Sequence, residues 1–200
     1  MDYHPPSPLL RGLASLILKI LGFRLENGLP DLPKYLVIAA PHTSNTDAVI
    51  FLCGALASGI RPLFTVKHTA FKPPFGGLLR WLGAYPIDRT RSTNMVDHVV
   101  EMYNSNDQIY FTVTPEGTRK LTQYWKSGFY HMARKANVPL VLAYVDYKRK
   151  VVGARPEPFY TTGDIQKDME VFKTFYEQFT PAKPENFGPV RVRPHETGSE

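Results

Sequence analysis

Among the residues able to do chemistry, His42 and Asp47 stand out, because the turn Pro41-His42-Thr43-Ser44-Asn45-Thr46-Asp47 holds a histidine and a carboxylate between two apolar runs. Tyr35 to Ala40 reads as a buried strand, and Ala48 to Leu52 opens a helix. Five residues apart, the two side chains would sit roughly 140° from each other on an ideal helix, so they meet only if His42 lies in the turn before it. Thr43, Ser44 and Asn45 can each cap that helix. A histidine with one ring nitrogen facing a carboxylate keeps the other free to take a proton from a hydroxyl. Taken alone the turn is also readable as a capped loop with a surface histidine.

Two further polar clusters follow predicted strands. Asp88-Arg89 ends Ala84-Tyr85-Pro86-Ile87, and Glu116-Gly117-Thr118-Arg119 ends the strong strand Gln108 to Val113. Gly117 permits a positive φ and a close backbone approach, Thr118 can donate a hydrogen bond, and Arg119 can grip a phosphate or carboxylate in bidentate fashion. Glu116 would repel an anion, so its carboxylate is expected to hold Arg119, a neighbouring N–H or the loop. By itself the stretch also reads as a charged turn with a solvated arginine.

The elements that position these turns alternate along the chain. Arg61 to Val66 is a second strand stopping at Lys67-His68, Asn94 caps a helix through Tyr103, Ser127-Gly128 starts a helix through Ala136, and Pro139 to Tyr147 is another buried strand. Lys150 to Ala154 can pair with it as a hairpin, and a last helix runs from Asp164 to Phe179. This alternation predicts a single α/β domain with a mostly parallel or mixed sheet flanked by helices, and in a parallel sheet the three clusters emerge on one edge. The expected divisions are an N-terminal helix and linker (1–34), the main domain (35–180) and a loosely held, proline-rich and charged tail (181–200).

The 200 residues are 43% hydrophobic, enough for one sizeable core. The formal net charge of +6 favours anionic partners. There is no Lys/Arg block, zinc finger or RNA-recognition signature, which argues against nucleic acid. The lone Cys53 sits in an apolar run, and neither a disulfide framework nor a metal-ligand spacing is present, so a reducing, cytoplasmic compartment fits. Near the start, Ser7 can cap a helix from Pro8 to Phe23 with Leu9, Leu10, Leu13, Leu16, Ile17, Ile20 and Leu21 at helical spacing. Arg11 and Lys19 interrupt it, it falls short of the ~20 apolar residues that span a bilayer, and it has no small-residue cleavage site. It either packs on the domain or lies in a membrane interface. The stretch Phe71 to Gly83 mixes aromatic, leucine and basic residues and reads either as a loop and short helix on the sheet or as a lipid-facing surface.

The ordered set Pro41 to Asp47, Tyr85 to Arg89, Thr114 to Arg119 and Val138 to Leu142 resembles the four blocks of the glycerophospholipid acyltransferase family, of the 1-acylglycerol-3-phosphate acyltransferase type, over residues 35–148. Tyr124 to Tyr130 is similar to its compact members. The resemblance implies an acyltransferase with no cofactor and no metal, in which His42 is the general base and Asp47 its orienting partner. A lysophospholipid hydroxyl attacks the thioester of acyl-CoA or acyl carrier protein. It further implies that Ser44 and Asn45 line the substrate site, that Arg89, Glu116, Gly117, Thr118 and Arg119 serve the acceptor's phosphate, and that Lys67 faces the oxyanion. Work on lipid substrates implies a peripheral position on the inner, anionic face of a membrane. The sequence departs from the family pattern at Thr114, Lys120 and Leu142 and lacks the long membrane-embedded helices of many members. A thioesterase using the same dyad and a non-catalytic anionic-lipid-binding protein are the alternatives.

Overall fold

The computed structural model describes residues 3–87 and 95–194, and it puts the apolar run after Pro33 at the middle of a sheet. That strand, β2 (Lys34–Ala39), is buried on both faces, which is why it reads as a continuous apolar run rather than an alternating one. It lies between β5 (Ile109–Val113) and β6 (Leu140–Asp146), parallel to both. Beyond β5 come β3 (Leu63–Lys67) and β4 (Ala84–Ile87), again parallel. On the other side β7 (Val151–Ala154) runs antiparallel to β6 as the expected hairpin, and β1 (Arg24–Glu26) pairs parallel with β7. The order of the seven described strands is β1-β7-β6-β2-β5-β3-β4, a mixed sheet in a single α/β domain.

Helices cover both faces. Leu36, Ile38 and Ala40 share a core with α4 (Met95–Asn104), α5 (Gly128–Ala136) and α6 (Ile165–Tyr176). Tyr35 and Val37 face the opposite side, where Phe51 of α2 (Asn45–Ala57) links them to a cluster containing Ala14 and Leu18 of α1 (Pro8–Ile20). Tyr103 of α4 and Tyr176 of α6 donate their hydroxyls to the carbonyls of Tyr35 and Ile38, at 2.7 and 2.9 Å, which pins both helices to β2. The 71–83 stretch follows a short 3₁₀ turn (His68–Phe71) and contains α3 (Phe75–Trp81).

Helix α1 has two apolar faces. Ser7 caps it by accepting from the Leu10 N–H at 3.3 Å, and Pro8 occupies its first turn. Ala14 and Leu18 are buried, while Leu9, Leu13, Leu16 and Ile20, spaced by four, three and four residues, are each at least half exposed. Among the described residues no helix is long and apolar enough to cross a membrane.

The structure corrects three expectations. The 1–34 segment is not only helix and linker, because Arg24–Glu26 adds an edge strand too short and too exposed to announce itself. The tail is not loosely held as far as residue 194: Val190 and Val192 are buried, and Trp125 donates to the Arg191 carbonyl at 2.7 Å. The final helix stops at Tyr176 rather than Phe179. Asp88, Arg89 and Asn94 lie outside the described residues.

Candidate active site

The carboxyl ends of the parallel strands converge, as the alternation of elements requires. β2 delivers His42, β3 delivers Lys67, β5 delivers Thr114 to Arg119, and β6 delivers Tyr147. His42 lies in the turn before α2, with Ser44 as the N-cap and Asp47 at the third helical position. Ser44 Oγ accepts from the Thr46 N–H at 3.1 Å. Asp47 Oδ2 accepts from the N–H groups of Thr43 and Ser44 at 2.7 and 2.8 Å. This reciprocal capping box makes the carboxylate part of the turn itself.

Asp47 is fully buried, and its other oxygen accepts the Tyr147 hydroxyl at 2.6 Å. His42 Nδ1 stands 3.9 Å from Asp47 Oδ2, within ion-pair reach but beyond a hydrogen bond, and it is a buried nitrogen with no hydrogen-bond partner. Burial pushes the imidazole's proton affinity down first, the Asp47 charge opposes that, and the Arg119 guanidinium adds to it. The net direction is downward, so the ring is kept neutral and able to accept a proton.

Glu116 reaches from the β5 turn to the β2 turn, its Oε1 accepting the His42 N–H at 2.9 Å. Sequence reasoning expected this carboxylate to hold Arg119, a neighbouring N–H or its own loop; the N–H it holds belongs to the other turn. Its second oxygen is buried without a partner, and burial pushes its pKa up to about 7, with the nearby Asp47 charge adding to the rise. Gly117 has φ +65°, a backbone conformation that calls for glycine, while the nearest atoms to a Cβ there belong to the flexible end of the Lys126 side chain.

Two hollows meet here. A large, mostly apolar cavity of about 1430 Å³ runs past His42, Lys67 and Arg119 and is walled by Phe51, Phe64 and Leu79. A shallower recess of about 780 Å³ is lined by Ser44, Asn45, Arg119, Lys120, Lys183 and Asn186 among others. Arg119 borders both. Arg119, Lys120 and Lys183 are exposed and make no ion pair among the described residues. Among those residues, no three His, Cys, Asp or Glu side chains are grouped to hold a metal ion.

The structure thus brings together His42, Ser44, Asn45, Asp47, Lys67 and the Glu116 to Arg119 turn, while Arg89 lies outside the described residues. Sequence reasoning missed Tyr147 and Lys183. Tyr147 carried a signal, as the last residue of a predicted strand whose neighbours also end in polar groups. Lys183 carried none. Its N–H donates to Thr43 Oγ1 at 3.2 Å, so the C-terminal segment is clasped to the His42 turn.

Comparison with known proteins bears on this site. The family model described as Acyltransferase matches residues 25–145. Among solved structures, the chain is similar to the crystal structure of the 1-acyl-sn-glycerophosphate (LPA) acyltransferase PlsC from Thermotoga maritima. The TM-score is 0.59 and the identity 18%, over 85% of this chain and 78% of that one, a likeness of fold. No curated protein sequence matches. Tyr147, Tyr176 and Lys183 all lie beyond the matched span.

Proposed function

The chain belongs to the acyltransferase family and is an acyltransferase, and from that premise we propose that it moves a fatty acyl group from acyl-CoA or acyl carrier protein to a hydroxyl of a lysophosphatidic acid-like acceptor. The observation that supports this most is the place of His42: a partly buried imidazole with its proton affinity lowered, on the wall of a long apolar cavity and beside a basic recess. At about 1430 Å³ the cavity exceeds the ~300–1,000 Å³ of an ordinary small-molecule pocket, as an acyl chain with its attached group requires. The recess offers Arg119, Lys120 and Lys183 to a phosphate. Arg89, from the second sequence block, and the Gly117-Thr118 backbone join them in this reading, and Ser44 and Asn45 line the same wall.

In the reaction, His42 Nε2 takes the proton of the acceptor hydroxyl as its oxygen bonds to the thioester carbonyl carbon. The negative charge that gathers on the carbonyl oxygen is met by Lys67. Collapse breaks the C–S bond, the thiolate receives the proton from His42, and an ester and a free thiol leave. The lowered proton affinity suits both transfers. No cofactor takes part, the thioester donor being a substrate.

The enzyme works at the inner face of a membrane, where its lipid acceptor resides. Support comes from the outward stripe Leu9, Leu13, Leu16 and Ile20 on α1, with Arg11 and Lys19 on the same helix, and from the net charge of +6. The deciding assay supplies labelled acyl-CoA or acyl carrier protein with and without lysophosphatidic acid. Acceptor-dependent ester with release of thiol is expected. Free fatty acid without acceptor would make it a thioesterase, and absence of turnover a lipid-binding protein.

A further inference from the structure

We propose that Tyr147 is a positioning residue for the His42–Asp47 pair: its hydroxyl, 2.6 Å from Asp47 Oδ1, fixes the carboxylate and limits its pull on the imidazole. This rests on His42 being the general base. Asp47 Oδ2 is held by two N–H groups of its own turn, whose positions the peptide geometry dictates. Oδ1 has one donor among the described residues, and it comes from the end of a different strand. In a fully buried site, loss of that donor would leave a carboxylate oxygen unpaired and concentrate the charge that His42 Nδ1 faces from 3.9 Å.

The hydroxyl and the ring of Tyr147 have separable jobs. The ring packs edge-to-face on Phe23, with centroids 5.1 Å apart, and Lys150 Nζ lies 5.4 Å from its centroid. Its N–H donates to the Thr180 carbonyl at 2.8 Å. None of these contacts needs the hydroxyl. Burial and the Asp47 charge both push the phenol's pKa up, so it stays protonated and donates across the working pH range.

The charged and titratable groups facing the pair are Arg119 and Glu116 on the β5 turn, Asp47 and His42 on their own turn, and Tyr147 from β6, with Lys150 on the far side of the Tyr147 ring. A phenol donating to Asp47 draws negative charge off the carboxylate and away from His42. Removing it stabilises the imidazolium, raises the pH at which His42 becomes neutral, and moves the acidic limb of kcat/KM to higher pH.

The test is Tyr147→Phe in the full chain, read as kcat/KM against pH with lysophosphatidic acid and acyl-CoA. The acidic limb is expected to rise by about half a pH unit or more, with a plateau about tenfold lower. Replacing Tyr147 by 3-fluorotyrosine, a stronger donor of nearly the same shape, should move the limb the other way. Phe23→Leu loosens the ring packing but spares the hydroxyl, and should lower the melting temperature without moving the limb. If the Tyr147→Phe profile superimposes on the parent's, or Phe23→Leu reproduces the shift, the tyrosine is structural and the proposal falls. If instead His42→Ala retains the parent's activity, the general-base reading fails first and takes this proposal with it.

Discussion

The β2–α2 turn and the β5 turn each bury a carboxyl group beside His42, and the protein treats the two in opposite ways. Asp47, in the first, meets three donors within 2.8 Å and serves as a helix cap. Glu116, in the second, meets the His42 N–H on one oxygen and nothing on the other, and burial lifts its pKa to about 7. Similar chemistry and similar depth therefore give one carboxylate bound into its own turn and one group whose pKa is lifted to about 7. The two differ in the number of hydrogen-bond donors they meet, not in depth.

The largest expected effect lies on the first turn. His42→Ala should cost roughly 10²- to 10⁴-fold in kcat with the melting temperature little changed. Asp47→Asn should lose activity, since the amide keeps the size and can still accept from the Thr43 and Ser44 N–H groups but no longer carries the charge that stabilises the imidazolium. A variant that kept full turnover would show the turn to be a cap and nothing more.

Glu116→Gln probes the second turn. Glutamine keeps the acceptor for the His42 N–H but cannot ionise. A carboxyl whose folded pKa is raised from 4.5 to about 7 contributes stability that is full below about pH 4.5 and is lost as pH climbs through about 7. The parent should therefore lose on the order of 3 kcal/mol relative to Glu116→Gln across that window. Parallel stability curves from pH 4 to 8 would mean that burial does not lift Glu116, and the contrast between the turns would vanish.

Arg119 borders both hollows and acts on both turns. Arg119→Ala should raise the acceptor's KM by about tenfold, and Arg119→Lys less, because lysine keeps the charge but not the paired donors. Since Arg119 lowers the proton affinity of His42, its loss should also move the acidic limb of kcat/KM to higher pH. The smallest effect is on α1. Leu13→Ser with Leu16→Ser should weaken flotation with anionic vesicles by about threefold to tenfold and leave turnover of micellar substrate unchanged. Undiminished flotation would assign the exposed stripe no part in attachment.

The first turn was legible in the sequence because it obeys local rules. An apolar run broken by Pro41 and followed by Ser44 and, three residues on, Asp47 spells strand, cap and helix within a dozen residues. The second was legible as a glycine turn, and its φ of +65° bears that out. The partners that tie the turns together were not. Glu116 reaches His42 across 74 positions and Tyr147 reaches Asp47 across 100, and no periodicity links residues so far apart. The tail misled through composition: its proline and charge suggest looseness, but Val190 and Val192 supply enough burial to hold it, and Lys183 reaches the turn through its backbone N–H.

The central place of β2 also shapes how the molecule comes into being. Its two neighbours are drawn from residues 109 onward and 140 onward, so the apolar run from Tyr35 to Ala40 has no hydrogen-bonding partner until more than half of the chain has been made. Parallel pairing over such separations is slow, because loop closure must precede any gain from contact. During that wait the strand that aims the His42 turn is also the stretch most open to misassociation with other chains. Substitutions that weaken β5 or β6 should accordingly be felt first in the yield of soluble protein, and only afterwards in the activity of the molecules that reach the native state.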